Sequence, residues 1–133
     1  MEQNKKDNVK LISRVNGPVI QAKGAGNFAM QEMVYVGDEK LIGEVISIER
    51  DTATIQVYES TTGIKVGEEV KTSGMPLSMT LGPGLIGHVF DGIGRPLNTL
   101  RGISGDFISR GIEIVSLDEE KLYTFKPTAQ VRR

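Results

Sequence analysis

At 133 residues the chain has the size of one ordinary domain, or of a small one with an appendage, and folding at that length buries about two-thirds of the unfolded surface. Hydrophobic residues at 38% and charged residues at 25% exclude the disordered class, and 16 Lys and Arg against 17 Asp and Glu leave no net field to gather phosphate backbones or anionic lipid. The absence of cysteine excludes disulfides and thiolate chemistry, one histidine excludes a multi-histidine metal site, and no apolar run reaches the ~20 residues that cross a bilayer.

Met1-Glu2-Gln3-Asn4-Lys5-Lys6-Asp7-Asn8 is polar, lacks the apolar stretch of a secretion signal, and reads as a flexible tail. From residue 9, turn residues recur every ~8–12 positions, the spacing of a sandwich or barrel. Leu11-Ile12-Ser13-Arg14-Val15 is a first strand, Asn16-Gly17-Pro18 a turn or bulge, and Val19-Ile20 resumes the strand. After the loop Lys23-Gly24-Ala25-Gly26-Asn27, the run Glu32-Met33-Val34-Tyr35-Val36 is a second strand. Gly37-Asp38-Glu39-Lys40 turns it into the longest apolar run, residues 41–49. Arg50-Asp51-Thr52 then leads into the clearest alternation: Ala53, Ile55 and Val57 on one face, Thr54, Gln56 and Tyr58 on the other. Thr61-Thr62-Gly63 turns again, and Gly67-Glu68-Glu69-Val70-Lys71-Thr72 is a short last strand. About six short strands with little helix predict a mainly β fold, a small closed six-stranded barrel over residues 9–75, since closure removes exposed edges.

Residues 76–100 read as a connector. Gly82-Pro83-Gly84 is a helix entry, and Leu85, Ile86, Val89 and Phe90 fall on one face of a short helix that Asp91-Gly92 ends. Gly94-Arg95-Pro96-Leu97 is an extended exit. From residue 98 the pattern is irregular and expected to be partly loose, with Ile112-Glu113-Ile114-Val115 a candidate strand and Asp118-Glu119-Glu120-Lys121 a charged turn or a short helical turn.

Two stretches match dinucleotide-binding glycine patterns: Gly82-Pro83-Gly84-Leu85-Ile86-Gly87, and the variant Gly24-Ala25-Gly26-Asn27-Phe28-Ala29. Neither follows a buried parallel strand and opens a full helix, as pyrophosphate binding requires, so both read as turn or close-packing glycine. The sequence holds no P-loop. His88 is a packing or surface histidine. Glu68-Glu69 and Glu119-Glu120 are adjacent carboxylates that point to opposite faces on a strand, and they read as solvated surface. With 5% aromatics and no Trp, the platforms of an oligonucleotide-binding barrel are absent.

The residues resemble a known family. Arg14-Val15-Asn16-Gly17-Pro18-Val19, then Val34-Tyr35-Val36-Gly37 and Leu41-Ile42-Gly43-Glu44-Val45-Ile46, are similar to the start of a rotary ATPase catalytic subunit. Asp51-Thr52-Ala53-Thr54-Ile55-Gln56-Val57-Tyr58-Glu59 through Thr62-Gly63-Ile64-Lys65-Val66-Gly67-Glu68 resembles the V-type and archaeal-type A subunit in particular. So does Gly74-Met75-Pro76-Leu77-Ser78-Met79-Thr80-Leu81-Gly82-Pro83-Gly84-Leu85, leading to Phe90-Asp91-Gly92-Ile93-Gly94-Arg95-Pro96-Leu97. The chain departs from the family in the loop Ala25-Gly26-Asn27-Phe28 and at Arg132-Arg133.

The resemblance implies an N-terminal fragment: a six-stranded crown barrel, a connector toward the nucleotide domain, and in residues 101–133 the start of an inserted bulge region. It implies B subunits as partners in an alternating A3B3 ring, then stalk subunits, on the cytoplasmic face of a membrane but not inserted in it. Nucleic acid is not an expected partner. No catalytic, nucleotide-binding or metal residue falls in this stretch, which is expected to hold no cofactor; ATP or ADP with Mg2+ is implied for the full subunit, whose work is ATP synthesis or hydrolysis coupled to proton or sodium transport. The polar face of Thr54, Gln56 and Tyr58 is the candidate subunit interface. Gly17, Pro18, Gly37, Gly43, Gly63, Gly67, Gly82, Gly84, Asp91, Gly92, Arg95 and Pro96 are the family's structural signature. The alternatives are a free-standing barrel adaptor that binds a protein partner, and a nucleic-acid-binding barrel.

Overall fold

Two-residue alternation organises most strands of the computed structural model, which describes residues 9–124 and 126. The tail read at residues 1–8 and the terminal Arg132-Arg133 lie outside the described residues. Six strands form: β1 (Val9–Asn16), β2 (Val19–Lys23), β3 (Glu32–Val36), β4 (Leu41–Glu49), β5 (Thr52–Val57) and β6 (Glu69–Pro76). They close into an antiparallel barrel in the order β1-β2-β5-β4-β3-β6, so the predicted fold class holds. β6 completes the circle by pairing with β1 through Lys10 and Val70 and with β3 through Val36 and Val70.

Inward positions carry the β-branched and aliphatic residues. Ile20, Val34, Val36, Leu41, Val45, Ile55 and Val70 are fully buried, and each such side chain contributes about 1.5–3 kcal/mol relative to exposure. Three register shifts, between Ile12 and Arg14, Val45 and Ser47, and Glu32 and Val34, bend the strands as a barrel of only six requires. Gly43 sits where β4 crosses close over β5: a methyl there would lie 2.9 Å from Ile55 Cγ2 and 3.0 Å from the Gln56 carbonyl oxygen.

Beyond the barrel two expectations are corrected. No helix runs from Leu85 to Phe90; only a three-residue 3-10 turn forms at Pro83–Leu85, and Ile86 and Val89 are exposed. Glycines at 82, 84 and 87, the last at φ +83°, raise the backbone entropy cost of a helix too short to offset its nucleation. The helix lies further on, as α1 (Leu97–Ser104), in residues read as exit and irregular chain. Pro96 precedes it, Leu100 is buried, and Gly105 stops it at φ +72°. The candidate strand at Ile112-Glu113-Ile114-Val115 does not form; these residues pair with no strand. Asp118 accepts from the Glu120 amide at 3.1 Å, consistent with the charged turn read there.

Candidate functional site

The outer face of β5 continues across its neighbours. Thr54 stands opposite Gln21 on β2 and Ser47 on β4; Gln56 stands opposite Val19 and Glu44. Thr54 is half-buried and Gln56 exposed, while Ala53, Ile55 and Val57 on the same strand are buried. The alternation thus resolves into core and outer face as the sequence predicts. Tyr58 follows β5, stays 42% exposed, and donates its hydroxyl to the Glu44 carboxylate. That bond, with burial and the Glu44 charge behind it, raises the Tyr58 pKa above its ordinary value.

The densest polar arrangement lies where the connector meets the barrel. Asp91 opens a turn in which the Gly94 amide donates to the Asp91 carbonyl at 3.1 Å and the Asp91 amide to the Arg95 carbonyl at 3.0 Å. Asp91 Oδ1 accepts from the Arg95 amide at 2.8 Å and the Ile93 amide at 3.2 Å. Arg95 Nε then returns to Asp91 Oδ2 at 2.7 Å, and Nη1 reaches Glu59 Oε1 at 2.8 Å and the Ile112 carbonyl at 3.2 Å. Glu59 in turn accepts from the amides of Gly111 at 3.1 Å and Ile42 at 3.4 Å. The Arg95 and Glu59 side chains are 7% and 6% exposed. One guanidinium therefore joins the end of β5, the connector turn and the chain after α1. Burial on its own would raise the Asp91 pKa, but the Arg95 amide and guanidinium outweigh it and hold the carboxyl below the ordinary range. Every charge here is answered by another, so the set fixes segments together rather than presenting a free acid, base or cation.

A second arginine adds to this. Arg110 grips Glu39 in the β3–β4 turn with Nε at 2.6 Å and Nη2 at 2.9 Å, and donates from Nη1 to the carbonyls of Ser60 and Thr62. A third polar tie is inside the barrel rim: the buried Glu32 accepts from the Ala29 and Gly74 amides, both at 2.8 Å. Arg110, Glu39 and Glu32 escaped sequence reasoning because isolated charges at scattered positions carry no periodicity. Their only signal was Glu32 standing at an inward position of an alternating strand.

The signature residues occupy distinct roles. Gly17, Gly37, Gly63 and Gly67 have positive φ. Pro18 follows Gly17 in the β1–β2 turn, and Pro96 is the residue before α1. Gly82 and Gly84 lie under Leu117, whose side chain a methyl would meet at 2.8 and 2.6 Å, so the dinucleotide-like pattern is a packing device for the later chain. Gly92 is exposed with open space around it. Asp91 and Arg95 are brought together; Thr54 and Gln56 lie on the outer face of the barrel, and Tyr58 beyond them lines the cleft beside Asp91 and Arg95. His88 is exposed, as one of its readings has it. Of the acidic pair Glu68-Glu69, only Glu69 is solvated surface. Glu68 is half-buried and accepts from the Lys65 amide at 2.9 Å and the Asp38 amide at 3.4 Å.

The barrel and its attached connector define a class. Residues 12–74 match the beta-barrel domain of the ATP synthase alpha/beta family. The chain is 58% identical over 113 residues to V-type ATP synthase alpha chain 2 of Clostridium tetani, covering 85% of this chain and 19% of that protein. It is 52% identical over 120 residues to the A subunit of the A-type ATP synthase of Methanosphaera stadtmanae, covering 90% and 20%. With isoform 1 of the catalytic A subunit of the V-type proton ATPase of Acetabularia acetabulum it shares 49% over 130 residues, 97% and 21% of the two chains. The chain belongs to the V-type and A-type branch of the ATP synthase alpha/beta family. It spans about one fifth of the length of the curated relatives it matches.

Proposed function

We propose that the chain is the barrel-bearing part of a catalytic A subunit of a V-type or A-type ATP synthase, and that its own role is to seat that subunit in its ring. The observation that carries this reading is the closed six-stranded barrel, matched to the family domain over residues 12–74 and extended by relatives named as A subunits. In the whole subunit, ATP or ADP with Mg2+ is handled by residues other than these, because the polar groups at the connector are consumed by one another. The partners are B subunits in an alternating A3B3 ring, followed by stalk subunits, on the cytoplasmic face of a membrane across which protons or sodium ions move. Among the described residues no helix is long and apolar enough to cross a membrane.

The contact with a neighbour runs along the outer rows of β2, β5 and β4 that carry Thr54 and Gln56, with Tyr58 at their end. Such a surface is polar enough to remain solvated before assembly and flat enough to be covered afterwards. Gln56→Lys tests it. The new ammonium faces Glu44 across the strands and leaves the barrel fold intact, but it brings an extra charge into the interface. Native mass spectrometry of the full subunit with its B partner is expected to show the hexamer reduced at least tenfold. Undiminished assembly by a folded Gln56→Lys variant overturns the face assignment.

A further inference from the structure

Residues 108–117 are attached to the barrel by side chains and single backbone groups rather than by strand pairing. No ladder of backbone bonds joins them to a strand, and no side chain between residues 105 and 124 is fully buried. Ile108 and Val115 are 63% and 79% exposed. A cleft of about 360 Å3, lined by Tyr58, Ser60, Ile93 and Ile108 together with the ionic groups, lies between the start of the segment and the end of β5. The polar attachments are concentrated at two points, while Ile112 and Ile114 are half-buried beside Tyr35 and Ile42, and Leu117 rests on Gly82 and Gly84. At one, Arg110 holds Glu39 with two nitrogens and caps the Ser60 and Thr62 carbonyls. At the other, Glu59 takes the Gly111 amide and Arg95 takes the Ile112 carbonyl. Gly111 makes the approach possible: it has φ +68°, and a methyl there would overlap the Glu39 carbonyl oxygen. Beyond these points Ser116 donates to the Gly94 carbonyl at 2.7 Å.

We infer that residues 108–117 form a strap that opens from the barrel as a unit, with Arg110 and the Arg95–Glu59 pair as its two catches, while the barrel stays folded. The physical ground is the contrast between the two parts. The barrel core is closed by backbone ladders and buried aliphatic side chains, which open only with global unfolding. A segment with no fully buried side chain and no ladder to a strand belongs to the low end of the local-stability range. The catches differ from each other. Arg110 and Glu39 are 32% and 50% exposed, so water and salt weaken that pair; Arg95 and Glu59 are shielded and yield last. Opening separates Arg110 from Glu39, withdraws the Gly111 amide from Glu59 and the Ile112 carbonyl from Arg95, and leaves the Arg95–Glu59 pair in place.

Hydrogen exchange read by NMR on the 133-residue chain tests it, with the Gly111 amide as reporter because its acceptor is the Glu59 catch. In the unsubstituted chain this amide is expected to exchange at least tenfold faster than the ladder amides of β4 and β5. Arg110→Met, which removes the exposed catch and keeps the stem, is expected to speed it about tenfold more and to leave β4 and β5 unchanged. Raising NaCl from low to molar concentration on the unsubstituted chain speeds it severalfold by screening the same pair. The inference is overturned if Gly111 is as protected as β4 and β5, if neither salt nor Arg110→Met moves it, or if barrel protection falls by the same factor.

Discussion

Arg95 is buried with two carboxylates, and that setting decides what its loss costs. A buried ion pair is often no more stable than a well-packed apolar replacement, but deleting one partner strands the other in a low-dielectric site at about 3–5 kcal/mol. Arg95→Met leaves both Glu59 and Asp91 uncompensated, so urea denaturation is expected to show a loss in that range. Arg95→Lys keeps a charge but not the fork that reaches Asp91, Glu59 and the Ile112 carbonyl together, and is expected to cost about 1–3 kcal/mol. Asp91 adds a pH dependence of definite sign. Its folded pKa lies below the ordinary 3.8, so its contribution is complete above that value and is lost as pH falls through the lowered one. Acid titration of the parent should therefore show a stability loss below pH ~4 that Asp91→Asn lacks. Asp91 and Arg95 were legible in the sequence only as members of the structural signature that the family resemblance implies. Their partner Glu59 stands in a stretch that gave it no role, because a salt bridge 36 positions apart has no spacing signature.

At the scale of elements, local chemistry decided which predictions survived. The barrel strands were readable because alternation, turn glycines and β-branched residues all pointed the same way. The connector was not, because its apolar residues sit at helical spacing without a helix: Ile86 and Val89 are 82% and 66% exposed. α1 carried its own signals, a preceding Pro96, apolar residues at 97, 100 and 103, and a following Gly105, which the irregular composition around it obscured. Gly102 lies within α1 with open space where a methyl would go. Gly102→Ala is therefore expected to stabilise the helix by about 0.5–1 kcal/mol, visible as a higher Tm. Gly43→Ala is expected to act oppositely. Its methyl meets Ile55 and the β5 backbone, and overpacking there should cost about 1–3 kcal/mol in the same measurement.

For the molecule as a whole, burial is concentrated in the barrel. Beyond residue 76 only Arg95 and Leu100 are fully buried among the described residues, while Leu81, Ile86, Phe107 and Leu122 stand largely exposed. A closed core with a lightly packed extension suits a collar that fixes the position of a larger body. The sequence could reveal the barrel because its strands are local patterns. It could not reveal the two arginine catches, which depend on how the chain returns to the barrel after α1.

On the proposed function, the barrel is the assembly element of a catalytic subunit whose nucleotide chemistry lies elsewhere. Removing residues 1–76 from the full-length protein, and following nucleotide binding and ring formation with B subunits side by side by native mass spectrometry, tests this most directly. The shortened protein is expected still to bind ATP but no longer to form the alternating hexamer. Assembly with B as ready as that of the intact protein would contradict the claim.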